Sequence, residues 1–130
     1  MLASIERDRG KVDESLARLR ALEQRMEEML PPDHPARVNT LIELGKTKLA
    51  ARDCTGAVAS ARQALALLQR NDAPPDQPAE AGFLIARALG PRDAEAVTLA
   101  EQALTTFEDL GSGYASEADE VRTWLITSPR

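Results

Sequence analysis

The stretch from residue 41 to residue 68 constrains the fold of this chain more than any other, because small residues recur in it at helical spacing. Its small and apolar positions are Leu44, Gly45, Ala57, Ala61, Ala64 and Leu65. The polar pair Arg52-Asp53 separates two amphipathic halves, which predicts a turn between two helices. Small side chains on facing helices let the two backbones approach closely, so we expect a tightly packed helical hairpin.

The same arrangement recurs on both sides of this hairpin. A shift of 42 residues places Leu2-Ala3 on Leu44-Gly45, and a shift of 41 places Ile85-Ala86 on the same pair. A shift of 39 places residues 100–104 on residues 61–65. Helical repeats of this length are typical of an α-solenoid, in which each hairpin buries its apolar face against its neighbours.

Apolar spacing and helix-breaking residues predict seven helical segments in a single domain that spans residues 1–130. A break at Gly10 and a loop over residues 71–78, which hold three prolines, divide the chain. The expected hairpins cover about 1–30, 34–70 and 79–110, and a capping helix covers about 114–126. Asp33 is a candidate N-cap for one helix, and either Thr55 or Asp53 is a candidate for the next. The short first segment suggests a fragment of a longer array.

Leu44-Gly45 followed by Ala57, Ala61 and Ala64 resembles a tetratricopeptide repeat. The period of 42 and the linker at residues 30–35, Leu-Pro-Pro-Asp-His-Pro, resemble the variant found in kinesin light chains. The resemblance implies an all-α, right-handed superhelix of about three helix-turn-helix repeats plus a C-terminal capping helix. Two departures stand out, because Lys48 and Cys54 occupy positions where the family usually has large aromatic residues.

The last part of the chain carries a second, looser resemblance. The stretch at 90–104, with a closing helix that contains Tyr114 and Trp124, looks like the C-terminal end of repeat arrays in bacterial serine/threonine protein kinases. That resemblance implies a catalytic domain elsewhere in the parent protein. Two interpretations of Trp124 are open: it packs in the capping helix, or it is an exposed anchor for a partner.

Composition narrows the classes of function. Alanine and leucine are abundant and aromatic residues make up only 3%, which favours helix over strand. The net charge of −5 argues against nucleic acid as a partner, because phosphate binding requires a basic face. We expect no membrane insertion, since no apolar run is long enough to span a bilayer. The single cysteine is compatible with a reducing, cytoplasmic setting.

No pattern in the sequence indicates catalysis, a cofactor or a metal site, so we expect a non-enzyme. The chain lacks a glycine-rich phosphate loop and a kinase catalytic string. His34 lies in a proline-rich linker, where a structural role is the simpler interpretation. Cys54 is expected to be buried and slow to react. The acidic runs at 23–28 and 117–120 are expected to be solvated helix faces.

The family resemblance implies that a protein or peptide partner binds on the concave surface, which the first helix of each hairpin forms. The outward positions expected there are Asn39, Ile42, Glu43, Lys46, Leu49, Phe83 and Arg87. Apolar anchors would supply affinity, and Glu43, Lys46 and Arg87 would supply specificity. A clamp for a C-terminal carboxylate is not expected, because it needs more cationic and asparagine side chains than these.

Three functions follow as hypotheses. The first is a non-catalytic protein-interaction or scaffolding module, the regulatory region of a bacterial signalling kinase. The second is a structural module that mediates self-association. The third is a ligand-sensing array of a transcriptional regulator, which would require an attached DNA-binding domain.

Overall fold

A computed structural model describes residues 2–31 and 34–127 of the chain. Over these ranges the chain forms six α-helices and one short 3-10 helix, with no strand. The helices are α1 (Leu2–Met29), α2 (Arg37–Ala50), α3 (Cys54–Arg70), α4 (Asp76–Leu89), α5 (Ala94–Leu110) and α6 (Ala115–Thr127), and the 3-10 turn covers Ser112–Tyr114. The all-α class is therefore confirmed.

Each helix packs mainly against its neighbours in the chain. α2 and α3 form one hairpin, α4 and α5 form the next, and α3 packs on α4 to join the two. α1 packs on α2, and α6 packs on α5. Contacts between consecutive helices are the signature of a helical-repeat solenoid, because each repeat buries its apolar face only against adjacent repeats.

The positions that the internal repeat aligns are buried in equivalent ways. Ala57, Ala61 and Ala64 of α3 are fully buried, and so are their counterparts Ala96, Ala100 and Ala103 of α5. Leu44 of α2 and Ile85 of α4 are also fully buried. The shifts of 41 and 39 residues therefore describe the same packing surface in both hairpins.

The predicted break at Gly10 is wrong. α1 is one continuous helix from Leu2 to Met29, so residues 1–30 do not form a hairpin. The position that corresponds to the capping residue Asp53 is Lys11, whose ammonium has no acceptor with which to cap a helix. A glycine inside a helix costs only about 1 kcal/mol relative to alanine, which does not by itself end a helix.

The turn that begins α3 follows the prediction. Arg52 has a φ of 66°, and Asp53 accepts a hydrogen bond from the Gly56 N–H at 3.0 Å. Asp93 caps α5 in the same way, by accepting from the Glu95 N–H at 2.8 Å. Asp33, the other predicted cap, lies outside the described residues.

The predicted loop over residues 71–78 is too long. α4 begins at Asp76 rather than at Ala79, so Pro78 lies in its first turn. The first amides of a helix have no partner within it, and a proline there costs no hydrogen bond. Asp76 is also favourable at this end, because its negative charge complements the helix dipole.

Cys54 is exposed, so the prediction of a buried thiol is wrong. It is the first residue of α3, directly after the capping Asp53, on the solvent side of the turn. Lys48, the other departure from the family pattern, donates a hydrogen bond from Nζ to Ser60 Oγ at 3.1 Å. This bond joins α2 to α3.

α6 covers the free face of the second hairpin. Ala118 and Val121 are buried in a cluster with Phe83 and Phe107. Trp124 packs against the same cluster, with its ring edge toward Phe83 at a centroid distance of 6.1 Å. Of the two interpretations of Trp124, the structure favours the packing role.

Candidate functional site

A cleft of about 340 Å³ is lined by residues of α2, α4 and α6. Its walls combine aromatic, carboxylate and cationic side chains, and α5 contributes Phe107. The lining residues are Lys46, Asp76, Glu80, Phe83, Leu84, Arg87, Phe107, Tyr114, Glu117 and Glu120.

A smaller cleft of about 140 Å³ adjoins the first along α2 and α4. Glu80 lines both, and we call the two clefts together the groove. The smaller cleft is lined by Val38, Asn39, Ile42, Glu43, Leu68, Gln77 and Glu80. The groove thus runs across the first helices of both hairpins and ends at α6.

Six of the seven predicted surface residues line the groove, namely Asn39, Ile42, Glu43, Lys46, Phe83 and Arg87. The seventh, Leu49, packs instead against the apolar core that α2, α3 and α4 share. Ile42 and Phe83 were expected to point outward, which is wrong, because each is only 8% exposed. They form the floor of the groove.

The groove is built from equivalent positions of two repeats. The 41-residue shift places Ile42 on Phe83 and Lys46 on Arg87. In both helices a buried apolar side chain is followed, one helical turn later, by an exposed cation. The repeat therefore places an apolar floor beside a positive charge twice.

Lys46 lies between two carboxylates. Its Nζ is 2.9 Å from Glu80 Oε1 on α4 and 3.8 Å from Glu43 Oε1 on its own helix. The hydrogen bond to Glu80 raises the pKa of Lys46, because it stabilises the charged ammonium. This ion pair links the first helices of the two hairpins across the groove.

Arg87 lies over an aromatic ring. Its Cζ is 5.8 Å from the centroid of the Phe83 ring, within the range of a cation–π interaction. The same ring meets the edge of Trp124 from the capping helix. Phe83 therefore contacts both a groove cation and the cap.

Tyr114 closes the other side of the groove. Its ring stacks on Phe107 with a centroid distance of 6.0 Å. The negative charge of Asp76, at the start of α4, raises the pKa of the Tyr114 hydroxyl, with contributions from desolvation and from a hydrogen bond to the same carboxylate. This contact connects α4 to the turn before α6.

Sequence reasoning missed the groove residues Asp76, Glu80, Tyr114, Glu117 and Glu120. Asp76 was assigned to a loop, and Glu117 and Glu120 were interpreted as part of a solvated acidic run. Both glutamates are indeed exposed, but they line the groove. Their spacing of three residues, which places them on one face of α6, was the available signal.

A third cleft, of about 330 Å³, lies between α3, α4 and α5. It is similar in volume to the main cleft, yet no charged residue lines it. The lining residues are Leu65, Gln69, Pro75, Pro78, Ala79, Gly82, Leu99, Gln102, Ala103 and Thr106. The third cleft has few polar groups that could orient a ligand by hydrogen bonds or charge. The groove is therefore the better candidate for specific recognition.

The geometry gives little support to a metal site, to a ligand-binding role for His34 or to a membrane-spanning helix. Within the described part of the chain, no three His, Cys, Asp or Glu side chains lie together as a metal site would require. His34 Nδ1 accepts a hydrogen bond from the Ala36 N–H at 3.0 Å, which orders the turn before α2. None of the described helices is both long enough and apolar enough to span a membrane.

Comparison with known proteins supports the repeat assignment. The family model of the tetratricopeptide repeat matches residues 1–70, more than half of the chain. No curated protein and no solved structure gives a match. Repeats of this family generally mediate binding between proteins and are generally non-catalytic. Together with the hairpins and their packing, this match shows that the chain belongs to the tetratricopeptide repeat family.

Proposed function

We propose that this domain is a non-catalytic protein-interaction module that binds an extended segment of a partner in the groove between α2, α4 and α6. The observation that carries the proposal is the repeated pair of floor and cation, Ile42 with Lys46 and Phe83 with Arg87. A cleft of about 340 Å³ accommodates a few side chains. It therefore suits a linear segment better than a folded surface.

The proposed mechanism is recognition by a rigid surface. Phe83 is held by the edge of Trp124, and Lys46 is held by Glu80, so part of the groove is ordered before a partner arrives. Ordering before binding reduces the entropy that binding must overcome. The apolar floor would supply affinity, and the charged rim, with Glu43, Lys46 and Arg87, would supply specificity.

The test begins with a random dodecapeptide display library, selected on the purified domain. Fluorescent copies of the enriched peptides are then titrated against cysteine variants in a Cys54→Ser background. Glu117→Cys carries a bulky maleimide label in the groove, and Gln102→Cys carries the same label in the third cleft. Each labelled protein is compared with its own unlabelled form, which separates steric blocking from the effect of the substitution.

The proposal expects the label at position 117 to abolish binding and the label at position 102 to leave it unchanged. The reverse pattern would place the site in the third cleft. Failure to enrich any peptide, or binding that neither label affects, would contradict a groove site. Helical content measured by circular dichroism confirms that each labelled protein is folded.

The biological setting is a separate part of the proposal. The resemblance of residues 90–104 and of the closing helix to bacterial kinase repeat arrays supports a regulatory or scaffolding role in a cytoplasmic serine/threonine kinase. The reading frame upstream of Met1 tests this directly, because a kinase domain there is expected. A kinase assay on this chain alone should show no phosphoryl transfer.

A second candidate function is self-association through α1. Leu22 is 42% exposed and Met29 is 80% exposed on this helix, whereas Ala64 and Ala103, the counterparts of Leu22 in the two hairpins, are buried. A second copy of the chain would bury this surface. Light scattering over a concentration series should then detect a dimer that Leu22→Glu with Met29→Glu dissociates, and a monomer at every concentration would exclude this candidate.

A further inference from the structure

The groove carries more negative than positive charge. Four carboxylates line the main cleft, namely Asp76, Glu80, Glu117 and Glu120, against two cations, Lys46 and Arg87. Glu43 adds a further carboxylate in the adjoining cleft. A groove of this composition favours a cationic ligand over an anionic one.

Both cations already have partners within the domain. Lys46 pairs with Glu80 and Glu43, and Arg87 lies over the ring of Phe83. An acidic partner would have to compete with these contacts. The positive charges of the groove are therefore poorly placed to attract an anionic ligand.

The two groove carboxylates on α6 are available to bind a cation. Across the described residues, neither Glu117 nor Glu120 forms a salt bridge, and both are exposed. They lie three residues apart and so share one face of α6. Two neighbouring carboxylates without a cation are electrostatically complementary to a lysine or an arginine.

An aromatic surface lies beside these carboxylates. Tyr114 stacks on Phe107, and both rings line the same cleft as Glu117 and Glu120. The stem of a lysine or arginine packs on apolar rings while its charged head reaches a carboxylate. An arginine can also stack on a ring face.

We infer that the groove binds a basic segment of a partner protein, with a lysine or arginine directed at Glu117 and Glu120 and an apolar neighbour over the floor at Phe83 and Leu84. This inference rests on the proposed function, since it names the chemistry of the segment that the groove accepts. The charge complementarity of α6 selects this occupant.

The display selection distinguishes this inference from the proposed function. Peptides enriched on the wild-type domain should carry lysine or arginine next to an apolar residue. Enrichment of neutral or acidic peptides that the label at position 117 still blocks would overturn the basic segment and leave the groove as the binding site. Peptides insensitive to that label would overturn both.

Charge neutralisation provides a second readout on the same peptides. Because each of two exposed charge pairs contributes modestly, Glu117→Gln with Glu120→Gln should weaken binding by about threefold to thirtyfold. Binding should also weaken as sodium chloride rises from about 0.1 M to about 1 M, because salt screens exposed charges. The matched control, Glu28→Gln with Glu101→Gln, removes the same charge from exposed sites outside the groove. Equal effects of the two double variants would overturn the inference.

Discussion

Gly45 of α2 lies against Leu84 of α4 so closely that a β-carbon at position 45 would be 2.9 Å from Leu84 Cδ2. The same β-carbon would be 3.5 Å from the Ala57 carbonyl oxygen of α3. The lack of a side chain at position 45 therefore allows α2 to approach Leu84 of the next repeat closely, while the distance to its hairpin partner is that of an ordinary contact. Because Lys46 follows directly, this packing also fixes where the groove cation lies.

Gly45→Ala should lower the free energy of unfolding by about 1 kcal/mol. Overpacking a core costs about 1–3 kcal/mol, and Leu84, only 2% exposed, has little room to move. The gain in helix propensity, about 1 kcal/mol, offsets part of this cost. Urea unfolding followed by circular dichroism measures the difference.

Gly82→Ala is the matched control, because Gly82 is also a buried helical glycine. A β-carbon there would meet Leu99 Cδ2 at 3.7 Å, which is an ordinary contact. This change should therefore stabilise the domain by about 0.4–1 kcal/mol. An equal gain from both substitutions would show that Gly45 does not set the helix spacing.

The contact between Asp76 and Tyr114 can be followed by titration, because Tyr114 is the only tyrosine of the chain. The nearby carboxylate repels the phenolate, so the hydroxyl loses its proton at a higher pH than an ordinary tyrosine. The folded chain therefore favours the protonated hydroxyl of Tyr114. The stability that this preference contributes is fully present below the ordinary tyrosine pKa of about 10 and is lost as the pH rises through the raised pKa of Tyr114. Asp76→Asn should therefore lower the titration midpoint, measured by the ultraviolet absorbance of the phenolate.

Two comparison variants are expected to change the titration midpoint of Tyr114 by less than Asp76→Asn does. Glu117→Gln should lower the midpoint less than Asp76→Asn does, because Glu117 makes a smaller contribution to the shift. Asp13→Asn on α1 should leave it unchanged. A midpoint that none of the three substitutions moves would mean that α4 and the turn before α6 are not in contact.

Arg62 and Glu95 join α3 to α5 through two hydrogen bonds, of 3.0 and 2.8 Å. The bond from Arg62 lowers the pKa of Glu95, so the stabilisation is present above the ordinary glutamate pKa of about 4.3 and is lost as the pH falls through the lowered value. Glu95→Gln should lower the melting temperature slightly at neutral pH and not at acid pH. Glu101→Gln, on the same helix, is the control, and the same decrease from it would show that the ion pair contributes nothing specific.

Cys54 should react with a thiol reagent in the native state at a rate similar to that of the denatured chain. The reason is its exposed position at the first residue of α3. A colorimetric disulfide reagent measures both rates, and each reaction should release one equivalent. Much slower labelling of the native protein would indicate that the thiol is covered, as the sequence pattern had suggested.

The packing surface could be predicted from the sequence because small residues leave a periodic signal. Alanines at 57, 61 and 64 predicted close helix contact, and the buried alanines at 96, 100 and 103 repeat it. The cap at Asp53 was one of two candidates, with Thr55, because a side-chain acceptor at a helix start has a local signature, and the structure identifies Asp53 as the acceptor.

Features that depend on tertiary structure could not be predicted from the sequence pattern. A glycine at position 10 and prolines before α4 break helices on average, but their effect depends on the position in the helix and on the capping groups nearby. The exposure of Cys54 depends on which way a turn faces. The carboxylates of α6 became part of the groove only when α6 was placed beside α4, a contact between segments that are far apart in the chain.

The most direct test of the central claim is a nuclear magnetic resonance titration of the isotopically labelled domain with an enriched peptide. If the groove is the binding site, the largest amide shifts will cluster at Lys46, Glu80, Arg87, Tyr114 and Glu120 and will saturate together. Shifts that cluster on α1, or around Leu99 and Gln102 in the third cleft, would contradict a groove between α2, α4 and α6.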